Sequence, residues 1–167
     1  MSVRVSLAVH ILLVTQFYSD TLRVTGKLLT GSTGCNPVIV RTIVLALKKA
    51  GMLTVKRGSS GGSELARDPW DISLWDIVEA VDPEAIKDIA SGVHVGSSQV
   101  CPVGRHIQDV LREPYRRIAG VIEGEMRTIS LADLSKVIPI EEIHRSKEEA
   151  EPPGKDDGKE TGDSAPA

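Results

Sequence analysis

The chain has 167 residues, of which 41% are hydrophobic and only 3% aromatic. That suffices for one domain with attachments, not for two full domains, and leaves Leu, Ile and Val to fill the core. Two cysteines, Cys35 and Cys101, exclude a disulfide framework and suit a reduced, cytoplasmic protein.

The net charge of −3 conceals an asymmetry. Residues 1–67 carry nine Lys/Arg against two Asp/Glu, a net of +7. Residues 68–147 carry nine against fourteen, and the last twenty residues two against seven, a net of −5 in each. A basic first third suggests a polyanionic partner met by one end of the molecule.

Taken in chain order, residues 4–18 predict a helix with Leu7, Ile11, Val14 and Tyr18 on one stripe. Its apolar stretch is interrupted by His10 and runs into TQFYSD without a small-residue cleavage site, so it reads as a buried helix rather than a signal peptide. No segment reaches the ~18 apolar residues of a membrane helix, so no membrane partner is expected. Thr25 is a candidate N-cap for a short helix through Ser32, and Gly34 marks a turn.

Asn36-Pro37 is the clearest helix start: Asn caps with its side-chain oxygen, and Pro at the first helical position forfeits no hydrogen bond. This helix runs to Ala50 and stops at Gly51, with Val40, Ile43, Val44 and Leu47 as its buried stripe. Residues 52–56 and 63–66 predict two short strands joined by RGSSGG. Ser73 starts a helix through Val81, and residues 83–102 read as a linker or sensor loop.

From Val103 to about Thr128, Ile107, Val110, Leu111, Ile118, Ile122 and Met126 recur at helical spacing, and Pro114 is expected to kink or split that helix. Ser130 opens a short helix, SLADLSKVI. The domains are therefore expected at 1–82, 83–102, 103–140 and 141–167, the last an acidic disordered tail.

One constellation carries function. Thr30, Gly34, Val40 and Ile43 are the small residue, turn glycine and locking apolar residues of a helix-turn-helix, whose second helix enters a major groove ~12 Å wide. The hairpin that follows has the place of a wing, with Arg57 at its tip able to reach a minor groove or a phosphate. The expected fold is mainly α with a small β-hairpin wing, a winged helix-turn-helix, plus a long C-terminal helix, to which the family resemblance given next assigns dimerisation. No Ser/His/Asp, paired-carboxylate or phosphate-loop arrangement stands out, so no enzyme is expected; GSSGG lacks the Gly-Lys-Ser/Thr ending.

The stretch NPVIVRTIVLALKKAGMLTVKRGSSGGSELARDPWDISLWDIVEAVD closely resembles the core of the Rrf2 family of bacterial transcriptional regulators. The resemblance rests on Asn36-Pro37, LKKAG at Leu47–Gly51, Arg57-Gly58, Gly61-Gly62, Leu65-Ala66-Arg67, Leu74, Asp76-Ile77 and Ala80-Val81, and extends over about residues 3–138. It implies a homodimeric repressor bound to palindromic double-stranded DNA. By position it implies that Asn36, Val38, Ile39, Arg41 and Thr42 face the groove, that Arg57 and Gly58 form the wing, and that Arg4, Thr25 and Lys48 contact phosphates.

Some relatives hold an iron–sulfur cluster on a set of cysteines. Here Cys101 alone occupies such a position, the 82–100 segment has no cysteine, and the place of a histidine ligand is Gly104, with His106 two residues late. No cofactor is expected. His94, Cys101 and His106 fit no standard metal spacing. Cys101, just before a helix start with Arg105 and His106 one turn on, is a candidate redox sensor, and Cys35 a structural residue. A winged-helix protein-interaction module without DNA binding is the alternative, and an effector of unknown kind is left open.

Overall fold

A computed structural model of the chain describes residues 2–56, 58, 61–85, 96–98 and 100–150. Val3–Tyr18 form α1, which buries Val5, Leu7, Ala8, Ile11, Leu12, Val14 and Thr15. That is wider than one amphipathic stripe, because α1 is the central helix around which the others pack. The Thr15 hydroxyl, fully buried, donates to the Ile11 carbonyl at 2.8 Å and so is not left unpaired. His10, a partly buried packing residue by its place on the helix, is instead exposed, with Nε2 3.0 Å from Ser32 Oγ.

Gly26–Thr33 form α2, and Thr25 accepts from the Leu28 N–H as its N-cap. Gly34 ends it in the left-handed region at φ 64°, a conformation that costs other residues a Cβ clash. Pro37–Lys49 form α3, opened by Asn36, whose Oδ1 accepts from the Val38 N–H at 2.8 Å. Val40, Ile43 and Leu47 are buried along α3, with Val44 half-buried beside them. Leu53–Val55 (β1) and Ser63–Leu65 (β2) pair antiparallel, Leu53 opposite Leu65 and Val55 opposite Ser63. The hairpin is tied back to the helices where the Ser63 N–H donates to the Val24 carbonyl at 2.9 Å.

After a 3-10 turn at Pro69–Asp71, Leu74–Val81 form α4, Pro102–Thr128 form α5 and Leu131–Ser135 form α6. Both α4 and α6 open on a complete capping box, Ser73 with Asp76 and Ser130 with Asp133. The two caps pair with each other: the Leu74 N–H donates to the Ile129 carbonyl and the Leu131 N–H to the Ile72 carbonyl, each at 2.8 Å. Asp133 also accepts from Lys136 Nζ at 2.7 Å.

Two expectations are corrected. Pro114 does not split α5, which continues through it for 27 residues. A proline deletes a single rung of such a ladder, and α5 is exposed along its length, so water can satisfy the freed carbonyl. The acidic tail does not begin at 141 either: Ile140–Ala150 form a further helix, α7. It is held against α1 by the Tyr18 hydroxyl, 2.6 Å from Ser146 Oγ, and by Lys147 Nζ, 2.9 Å from Asp20. The Lys147 ammonium lowers the Asp20 pKa. Residues 151–167, expected as a disordered tail, lie outside the described residues, as do residues 86–95 of the expected linker. Among the described residues no single helix is long and apolar enough to cross a membrane.

Two outcomes follow for stability. Leu47 is fully buried where α3 enters the core, so Leu47→Ala is expected to cost about 2–5 kcal/mol in urea unfolding. Asp133 is held down to about 2 by the Lys136 ammonium and the Ser130 hydroxyl and N–H. A depressed carboxylate stabilises fully above its ordinary value of about 3.9 and loses that contribution as pH falls towards its folded value. Carboxyl NMR should therefore give Asp133 a midpoint near 2, and Ser130→Ala should move it upward.

Candidate nucleic-acid interface

Burial of Val40, Ile43 and Leu47 turns the opposite face of α3 to water. Val38, Arg41, Thr42 and Leu45 recur on that face at spacings of three and four, with Ile39 beside them, and all five are exposed. Asn36 stands at the head of the same helix as its cap. The structure thus brings Asn36, Val38, Ile39, Arg41 and Thr42 together at the N-terminal half of α3, the end that a helix-turn-helix directs at base edges.

Lys27 was not singled out from the sequence, yet it lines one cleft of about 540 Å³ with Arg41, Gly26, Thr30, Pro37 and Ser63, between α2, α3 and the hairpin. The signal was its place two residues after the Thr25 cap, in the first turn of α2. Thr25 itself is exposed, and its hydroxyl oxygen already caps Leu28.

The remaining candidates are dispersed. Lys48 is exposed in the last turn of α3, eleven residues and so about 17 Å along the helix from Arg41's neighbour Pro37. Arg4 extends from the first turn of α1 to α4, where its Nε donates to the Val81 carbonyl at 2.8 Å. That bond serves an open helix C-terminus, a structural task that proximity in sequence could not reveal. Gly58 takes φ 102° at the hairpin turn, a conformation reserved in practice for glycine. Arg57 lies outside the described residues. Within the hairpin, Lys56 Nζ is 3.0 Å from both carboxylate oxygens of Glu64, so the acid that the sequence sets near a polyanion face has its own cation.

Cys101 is exposed and forms the N-cap of α5, while Cys35 is half-buried against the core. The donors around Cys101 do not fit an iron–sulfur cluster. It is the one thiol of the segment, and among the described residues no group of three or more His, Cys, Asp or Glu converges. At Gly104, a Cβ would lie 2.5 Å from the Ser98 carbonyl oxygen, so the backbone there closes on the position where a ligating side chain would have to stand.

Residues 1–137 match the Rrf2 family, described as iron-dependent transcriptional regulators. The chain is 34% identical over 131 residues to YwnA of Bacillus subtilis, named an HTH-type transcriptional regulator, a match spanning 78% of this chain and 93% of that one. A solved structure described as a DNA-binding protein is 31% identical, with a TM-score of 0.61 over 78% of this chain and 97% of the other. IscR of T. potens, 21% identical with a TM-score of 0.57 over 92% and 93% of the two chains, shares the fold. With its winged helix-turn-helix, its exposed α3 and a match over residues 1–137, the chain belongs to the Rrf2 family of DNA-binding transcriptional regulators.

Proposed function

We propose that this protein is a homodimeric repressor that grips a palindromic operator with two copies of α3, works without an iron–sulfur cluster and catalyses no reaction. The observation that carries this reading is the N-terminal half of α3: exposed, headed by a cap, and flanked by Arg41 and Lys27 in one cleft. In it, Arg41 pairs with a base edge, Asn36, Val38, Ile39 and Thr42 line the groove, and Lys27 and Thr25 approach phosphate. Arg57 with Gly58 enters the adjacent minor groove, and Lys48 and Arg4 are assigned peripheral phosphate contacts. The family resemblance supports these residue assignments.

Dimerisation is read from α5. Val103, Val110, Ile118 and Val121 are exposed along this helix, and no residue of α5 is buried. Such a stripe, on a helix about 40 Å long, needs an apolar cover. A twofold pairing of α5 supplies it and presents two recognition helices to a symmetric site. The mismatch between the cluster's thiolate requirement and a segment with one cysteine supports regulation by another signal.

Two measurements test this reading. In gel shifts on genomic fragments, log affinity should fall with log salt at about −0.9 per phosphate neutralised, and Arg57→Ala should reduce that slope by about one. Arg41→Ala should instead cost about 1–3 kcal/mol on bound sequences and little on random DNA. If the chain is a protein-interaction module, the parent binds no fragment and neither change is seen. In sedimentation, the parent should run at twice the mass of one chain, and the pair Ile118→Glu, Val121→Glu as a monomer with unchanged helix content.

A further inference from the structure

The recognition face of α3 has an unusual chemistry for a surface meant to read a polar groove. Val38 is 70% exposed and Ile39 50% exposed, at the N-terminal end of the helix. Neither the core nor helix propensity accounts for them: neither joins the core, and β-branched residues are weaker helix formers than alanine. The polar groups beside them are largely committed to the helix itself. Asn36 Oδ1 accepts from the Val38 N–H at 2.8 Å. The Thr42 hydroxyl donates its proton to the Val38 carbonyl at 2.9 Å. Thr42 therefore has no hydroxyl proton to offer a base, and Asn36 cannot present the paired oxygen and amide that recognise adenine. Arg41 is the one charged residue in the stretch 36–42 that heads α3.

Among base-edge features of the major groove, only the C5-methyl of thymine is apolar. We propose that α3 reads thymine chiefly through its methyl group, with Val38 and Ile39 as the specificity-determining residues, and that each half-site pairs a thymine-bearing step with one guanine bound by Arg41. The inference rests on the reading of α3 as the DNA-recognition helix and deepens it, from groove contact to the chemical class of base contacted. Removing a methyl from an apolar contact costs about fourfold in affinity for a group of that size, whereas a lost hydrogen bond at the same base would not respond to the methyl at all.

The test uses the full chain and duplexes selected by it from a random pool. Each thymine of the enriched half-site is replaced in turn by deoxyuridine, which keeps every hydrogen-bonding group and removes only the methyl. The expected result is a loss of about fourfold at each contacted thymine and none elsewhere. Val38→Ala and Ile39→Ala should each abolish the thymine–uracil difference at one position, while Arg41→Ala should leave it intact and relax the guanine. Both aliphatic side chains are exposed, and thermal melts should show these variants as stable as the parent. Enriched DNA that binds equally well with uracil throughout, or that contains no shared thymine, overturns the inference while leaving DNA recognition standing. A pool that yields no bound duplex removes the recognition reading itself, and this inference with it.

Discussion

The locking of α3 by Val40, Ile43 and Leu47 is the constraint from which the rest of the molecule follows. These three side chains enter a core built around α1, and their burial determines the rotation of α3 about its own axis. A helix has only one surplus of faces to distribute: what the core takes at positions 40, 43 and 47, water receives at 38, 41, 42 and 45. Gly34 and Asn36 then determine where α3 begins, through a left-handed residue that closes α2 and a cap that opens the next helix. The hairpin continues the same arrangement, because Ser63 is hydrogen-bonded to Val24 just ahead of α2. α3 and the hairpin are thus both referred to the segment from Val24 through α2.

Much of this was legible in the residues. Thr25, Asn36-Pro37, Ser73 and Ser130 are local signals, satisfied within three residues of themselves, and each marks a helix start in the structure. The hairpin was equally local, its strands separated by glycines that permit its turn. What the sequence could not convey was tertiary. The bond from Arg4 to Val81 spans 77 positions and that from Tyr18 to Ser146 spans 128. Without those partners, α7 reads as the start of an acidic tail, for its own composition is charged and its contacts are with residues far away in sequence. Lys27 was invisible for a related reason, since only the folding of α2 against α3 sets it beside Arg41. Pro114 misled in the opposite direction: a local rule with a real cost was outweighed by the length and exposure of the helix that contains it.

The charge asymmetry of the chain also changes meaning in three dimensions. In sequence, the basic first third and the acidic remainder are separate. In space, α7, with Glu141 and Glu142 in its first turn, returns to α1, and its Ser146 lines a groove of about 680 Å³ shared with Arg23, Thr25 and Lys27. The basic residues of 1–67 do not form one uniform face: Arg4 is turned to α4, while Lys27 and Arg41 share the cleft between α2, α3 and the hairpin. Even there Glu64 is matched by Lys56, so net charge overstates what is available for a polyanion.

The paired caps at Ser73 and Ser130 make a joint of particular kind. Two backbone hydrogen bonds, from Leu74 and from Leu131, cross between the start of α4 and the residues that follow α5, and the Arg127 guanidinium stacks 5.2 Å from the Trp75 ring beside them. Paired bonds of this sort resist twisting as well as separation, and they tie the far end of α5 to the winged domain at two points. A lever welded at one end passes on whatever tilt it is given. Because α4 packs against both α3 and α5, the start of α4 is where the lie of the long helix and the heading of α3 meet.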